Sequence, residues 1–507
     1  MNFPIWDLSF GLPLLIAFVS IPHVMVAHFA IGGGLFLAIY EGRARRTNDT
    51  ALLNYTRSHS RFFMLITLVF GALTGVGIWF TISLVSPAAT SALIHTFVWF
   101  WATEWVMFFV EIAASLVYYY GWDRLDGRTH ERVMWIYFIA AWGSLAVING
   151  IITFMLTSGT WVADRNIWPA FFNPTYWPSL IFRTLICFLM AGIFAILTAA
   201  WHKDELLGRR INRIALIWSL PTIIAMIPVG YWYHASLPEA TLASIAGGWR
   251  AIANAQDTLI ATAIGLAVVV VLIAMIRNKL VIRILAIILV ALGLKAFGSF
   301  EWYREAARKP FVISGYMYSN GIVVSDTTAI RTAGLYSSIK WKHDDVSRRG
   351  EDLFRAACQS CHSLSGYNGV ARMVAERGWS EPELANLIPR TGYMRGAMPP
   401  FLGNAAEAAD IAGYIFKSTS GLDIPAVAKT PQRIWDNNCG LCHSIDESRP
   451  LRAALSGMSL TDLKEAILTA DQLSDVMPPF MGTDADAAAL ATHLEKVLQN
   501  PTVAGAK

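Results

Sequence analysis

Long apolar stretches fill the chain up to about residue 308 and then stop. A helix needs about 20 residues to cross a hydrocarbon core of roughly 30 Å. Stretches of that kind lie at approximately 8–40, 62–85, 94–120, 133–157, 178–201, 212–234, 256–276 and 280–306. The pattern predicts an all-α chain: a polytopic membrane bundle of about eight transmembrane helices over 1–310, a linker over 311–345, and two small helical domains over 346–424 and 425–507. The first apolar stretch is too long for a signal peptide and lacks a basic lead-in, so it is expected to remain as a span.

Basic residues fall in alternate loops: Arg43, Arg45, Arg46, Arg57 and Arg61 after the first span, Arg124, Arg128 and Arg132 after the third, Lys203, Arg209, Arg210 and Arg213 after the fifth, Arg277, Lys279 and Arg283 after the seventh. The positive-inside rule makes these loops cytoplasmic. Both ends of the bundle, and everything after residue 308, are then expected on the periplasmic side of a bacterial inner membrane. Composition agrees: 55% of the 507 residues are hydrophobic and only 15% charged, which excludes an ordinary soluble protein of this length. The net charge of +4 is small and scattered over loops, so nucleic acid is not an expected partner.

Four of the five cysteines stand in Cys358-Gln359-Ser360-Cys361-His362 and Cys439-Gly440-Leu441-Cys442-His443. In this C-x-x-C-H pattern two thiols bond the vinyl groups of a haem and the histidine ligates its iron. One copy could equally be a redox pair or half a zinc site, but two in tandem are far more specific. Each is followed by the same string, Ala397-Met398-Pro399-Pro400-Phe401 and Val476-Met477-Pro478-Pro479-Phe480. A methionine thioether opposite histidine is a cytochrome c ligand set. Two covalent c haems are expected, with His362 and Met398 on one iron and His443 and Met477 on the other, in domains that resemble class I cytochromes c. Cys187, mid-span, is expected to be a packing residue.

Ionisable groups inside a span cost a few kcal/mol each and are functional candidates by default. The first span has His23 and His28, the third Glu104 and Glu111, the fifth Arg183, and the eighth ends Glu305-Ala306-Ala307-Arg308-Lys309-Pro310. Three local patterns together resemble subunit I of the cytochrome bd oxygen reductase family over residues 1 to about 310. These are His23 eighteen residues before Glu41, Glu111 ten residues before Gly121-Trp122-Asp123-Arg124-Leu125, and the E-x-x-R-x-P ending. The resemblance implies high-spin haem b, and possibly haem d, held by His23 and Glu305, with Glu104 close to the irons, Glu111 on a proton route and Arg308 on a propionate.

Two departures stand out. Arg183 occupies the place of the family's low-spin haem histidine and is kept as a cofactor-binding candidate. The long quinol-binding loop between the sixth and seventh spans is reduced to about 20 residues. The expected function is therefore a membrane haem oxidoreductase, reducing oxygen with electrons from a periplasmic cytochrome or another one-electron donor. The alternative is a non-catalytic dihaem c subunit passing electrons to or from another respiratory complex. An additional membrane subunit or a second copy is expected as a further partner.

Overall fold

The computed structural model describes residues 5–6, 8–246, 250–394, 397–423, 428–446 and 449–499. Among them eight helices are long and apolar enough to cross a membrane: α1 (Leu12–Arg46), α2 (Thr50–Val85), α3 (Val98–Gly121), α4 (Gly127–Phe154), α5 (Tyr176–Ala200), α6 (Glu205–Ala235), α7 (Ile252–Met275) and α8 (Lys279–Ala307). Several run past the expected spans at the end carrying the basic loops, as α2 does over Thr50–Met64. The polar turns there continue the backbone ladder without being apolar, and hydropathy registers only the apolar part.

The even-numbered helices all begin at that basic end, and each does so on an Asp or Asn cap. Asp49, Asp126, Asp204 and Asn278 accept hydrogen bonds from the first-turn N–H groups of α2, α4, α6 and α8. Such a cap satisfies donors that the helix itself leaves unpaired. Arg57 pairs with Asp123 and Arg210 with Asp49 on the same face.

Helix α1 is central. A Cβ on Gly32 would lie 1.8 Å from the carbonyl oxygen of Cys187, so α1 and α5 meet backbone to backbone, the approach that small residues permit in membrane helices. Cys187 is fully buried in that contact, which is the packing role expected of it. Within α2, Leu65–Gly71 forms a π-helical turn, a local feature that often marks a functional position.

Residues 311–345, expected as a linker, are folded. Strands β1 (Phe311–Ile313) and β2 (Met317–Tyr318) form a hairpin whose Val312, Ile313 and Met317 share a core with Phe97, Phe154 and Trp161 of the bundle. Leu335 and Ile339 belong to the core of the first small domain. There the buried Glu407 carboxylate accepts the N–H groups of Leu335 and Tyr336 at 3.1 and 2.8 Å. No hydrophobic period runs through this segment, which is why sequence pattern does not reveal its structure.

The first small domain contains α9 (Arg349–Ala357), α10 (Val370–Arg377), α11 (Glu381–Leu387) and α12 (Ala405–Lys417). The second contains α13 (Pro431–Asn437), α14 (Leu460–Leu468) and α15 (Asp484–Gln499). Both follow the expected order, with C-x-x-C-H after the first helix and a long helix last.

Candidate functional site

The two C-x-x-C-H motifs have matching surroundings. His362 Nδ1 lies 3.3 Å from the carbonyl of Asn368, and His443 Nδ1 lies 3.1 Å from that of Arg449, each six residues on. A carbonyl only accepts, so Nδ1 carries the hydrogen and Nε2 keeps its lone pair, as a metal-binding imidazole requires. Both carbonyl-bearing residues are non-glycines with positive φ, 56° at Asn368 and 46° at Arg449. An uncommon backbone state recurring at one offset marks a constrained loop.

The methionine loops repeat too. Phe401 and Phe480 pack on the two domain cores, and a Cβ on Gly403 or Gly482 would fall 2.5 or 2.6 Å from those rings. Glycine is required at both turns. Met398 and Met477 are half-buried just before them. Burial pushes the Cys358 and Cys439 thiols up to about 12, the reverse of the depressed value that a disulfide-exchange pair needs. Burial also holds His362 below the ordinary histidine value, only partly offset by the Asn368 carbonyl, which favours a neutral ring. None of the four cysteines of the two motifs is joined in a disulfide.

The first domain is seated on the bundle where α1 begins and α8 ends. Tyr367 N donates to Phe10 O at 3.0 Å and Arg355 Nη2 to Ile5 O at 3.1 Å. Just past α8, Lys309 Nζ lies 2.9 Å from a Glu305 oxygen and 3.5 Å from Cys361 Sγ. Arg308 takes the other Glu305 oxygen. Burial opposes the charge on Lys309, but Glu305 outweighs it and keeps the pKa above the ordinary lysine value.

The second domain rests on the first. Arg377 Nη1 donates to Asp436 O at 3.0 Å, Asn437 Nδ2 to Arg377 O at 2.8 Å, and Arg449 Nη1 to Tyr393 O at 2.7 Å. Arg449 bears the carbonyl facing His443, and Tyr393 precedes the Met398 loop. The contact therefore joins the histidine side of one candidate site to the methionine side of the other.

Inside the bundle, His23 reaches the π-helical part of α2, with Nδ1 3.0 Å from Thr74 Oγ1 and 3.2 Å from Gly71 O. That engages Nδ1 and leaves Nε2 for a ligand. Arg183 is buried 3.6 Å from Glu301, which also holds Arg304 at 2.6 Å. Among the described residues no hydrogen bond joins His23 directly to Glu104 or Glu305. Glu104 accepts from Ser144 Oγ at 2.9 Å and Glu111 from the Tyr137 hydroxyl at 2.9 Å. Tyr137 and Ser144 were not singled out by sequence, although they stand seven residues apart on α4 just as the glutamates do on α3.

The chain offers what membrane haems would need. Arg183 Nε, Arg304 Nη1 and Arg308 Nε are buried without a hydrogen-bond partner among the described residues. Unpaired buried donors are costly, and haem propionates are acceptors of the matching charge. With His23 Nε2 and the Glu305 carboxylate, these groups fit haem at the docking end of the bundle. For the C-terminal domains, intact mass of the purified protein should exceed the polypeptide by two haems, and denaturing gels should stain for haem. Met398→Ala and Met477→Ala should each remove one low-spin methionine signature without losing mass. An increment of one haem or none rejects the tandem assignment.

Residues 14–263 match the family described as cytochrome bd terminal oxidase subunit I. Residues 345–415 and 426–494 match the family described as cytochrome c oxidase, cbb3-type, subunit III. A solved structure of bd oxidase from Geobacillus thermodenitrificans is similar in fold, with a TM-score of 0.51 at 18% identity over 61% of this chain and 90% of that one. No curated protein matches the chain.

Proposed function

We propose that this chain, in which a cytochrome bd subunit I domain is joined to two cytochrome c domains, is an oxidase that takes single electrons from a periplasmic donor and reduces oxygen to water. Bound haem would supply the redox relay and, in the bundle, an open iron position for oxygen. The observation that carries the reading is the Lys309 bridge. One ammonium touches both Glu305 at the end of α8 and Cys361 of the first haem c motif, so the c domain and the candidate membrane ligand share a contact. The chain's own part is to hold these sites in series. Domain 2 is tied to domain 1 through Arg377 and Arg449, and domain 1 to the bundle through Lys309 and Tyr367. Electrons then enter at domain 2 and leave through domain 1. Glu104 and Glu111 hold protons on the way to the reacting site, a task that intramembrane carboxylates commonly perform.

Oxygen consumption by the purified protein tests this. Turnover with a reduced cytochrome or an artificial one-electron donor should exceed turnover with a short-chain quinol and should fall as salt screens the encounter. Carbon monoxide should shift a b or d band of the reduced protein. An unshifted spectrum together with no oxygen uptake would instead describe a conduit that passes electrons to another complex.

A further inference from the structure

Two antiparallel helices, α3 and α4, carry polar residues at a common seven-residue spacing: Glu104, Glu111 and Tyr118 on one, His130, Tyr137 and Ser144 on the other. Seven residues are about two turns, or roughly 10 Å of helix, so both sets keep to one seam with little drift. The outer two rungs are Glu104 with Ser144 and Glu111 with Tyr137. The third rung, at the basic end, is a closed cluster. Tyr118 donates its hydroxyl hydrogen to Glu41 Oε2 at 2.7 Å, His130 Nδ1 stands 2.6 Å from Glu41 Oε1, and His130 Nε2 stands 2.9 Å from the Tyr118 carbonyl. Glu41, Tyr118 and His130 are each fully buried.

The hydrogen count in this rung is informative. Carboxylate and carbonyl oxygens accept, so both ring nitrogens of His130 face acceptors. Satisfying both contacts takes one hydrogen on Nε2 and a second between Nδ1 and Oε1. The Glu41–His130 pair thus stores an exchangeable proton. Arg45 pairs with it, with Nε 2.8 Å from Glu41 Oε1 and its own side chain 28% exposed at the basic surface. Arg45 and Arg57 both lie over Trp122, whose ring meets that of His130 at a tilt of 55° with centroids 4.5 Å apart. Tyr118 stands one seven-residue step from Glu111 on α3, roughly 10 Å of helix.

We infer that Glu41, His130 and Tyr118 form the proton-loading site of the seam, taking protons from the side of the basic loops and passing them through the Tyr118 hydroxyl toward Glu111 and Glu104. This rests on the proposed function for the destination of the protons. Each transfer moves one proton and no electron. Tyr118 gives its hydroxyl hydrogen onward and receives the one held by Glu41 and His130, and the pair is refilled from solvent beside Arg45.

The test is anaerobic reduction of the detergent-purified full chain, mixed rapidly with a reductant and a small redox mediator. Haem absorbance and a pH indicator are followed together. In the wild type, proton uptake keeps pace with reduction of the membrane haem. Glu41→Gln and Tyr118→Phe should slow uptake about a hundredfold while haem content and the rate of reduction by mediator stay the same. Tyr118→Phe keeps the ring and removes only the hydroxyl, so it guards against a Glu41 variant that fails to assemble. Uptake in Tyr118→Phe that matches the wild type, or no uptake by the wild type, would overturn the inference. A wild type that takes up protons normally yet consumes no oxygen would reject the oxidase reading and leave the relay standing.

Discussion

Replacing Cys358 and Cys361 together with alanine should lower oxygen consumption with a reduced cytochrome by about a hundredfold or more, close to 3 kcal/mol of barrier. The same change at Cys439 and Cys442 should spare turnover with a small artificial donor. The asymmetry follows from the order of contacts. Domain 1 touches the bundle through Lys309 and Tyr367, and domain 2 meets domain 1 through Arg377 and Arg449. Loss of the inner haem interrupts every route through the c domains. Loss of the outer one removes the docking point of a macromolecular donor but leaves the inner site within reach of a small molecule. The measurement is oxygen uptake by both double variants with both donors, after haem staining has established that one covalent haem remains in each. Equal losses in the two variants with the small donor would mean that the domains do not act in series. Turnover with quinol that survives the loss of both c haems would mean that electrons enter elsewhere.

His23→Ala and Glu305→Ala should each strip non-covalent haem from the bundle while leaving both c haems in place. Removing an outer-shell partner of a ligand already costs roughly 10–100-fold in metal affinity, and removing the ligand itself should cost more. The two variants differ in their side effects. Among the described residues His23 is hydrogen-bonded within the bundle, to Thr74 and Gly71 of α2, so its loss should leave the docking of domain 1 intact. Glu305 is paired with both Arg308 and Lys309, and its loss leaves the Lys309 ammonium beside Cys361 without its carboxylate. The Glu305 variant should therefore also move the potential of the inner c haem upward, since less negative charge nearby disfavours the oxidised form. Pyridine haemochrome analysis separates b or d haem from c haem, and a redox titration reads the potential. Full non-covalent haem in both variants would show that neither residue is a ligand, and His28, with its buried unpartnered Nε2, would become the next candidate.

Some of this was open to inspection in the sequence. The number of spans and the side carrying the basic loops depend on hydropathy and charge within single segments, and the eight helices follow them. The C-x-x-C-H motifs and the M-P-P-F strings are equally local, because covalent attachment needs two thiols and an imidazole within one turn of chain. Their repetition extends to features that no motif announces, such as the positive φ at Asn368 and Arg449. The helix ends were less legible, because the polar turns of α2 over Thr50–Met64 carry no apolar signal.

The sequence by itself determined the class of the molecule, an apolar helical bundle followed by small helical domains, and it displayed the paired C-x-x-C-H and M-P-P-F strings. Those properties are set by neighbours within a few positions. Only the tertiary structure decided which distant groups share a proton or a charge. Glu41 meets Tyr118 and His130 across 77 and 89 residues of chain, and Lys309 meets Cys361 across 52. Helix packing and domain docking create those pairs. Hydropathy records that a polar residue lies in the membrane, but its partner is chosen by the face it presents and the depth at which another helix passes.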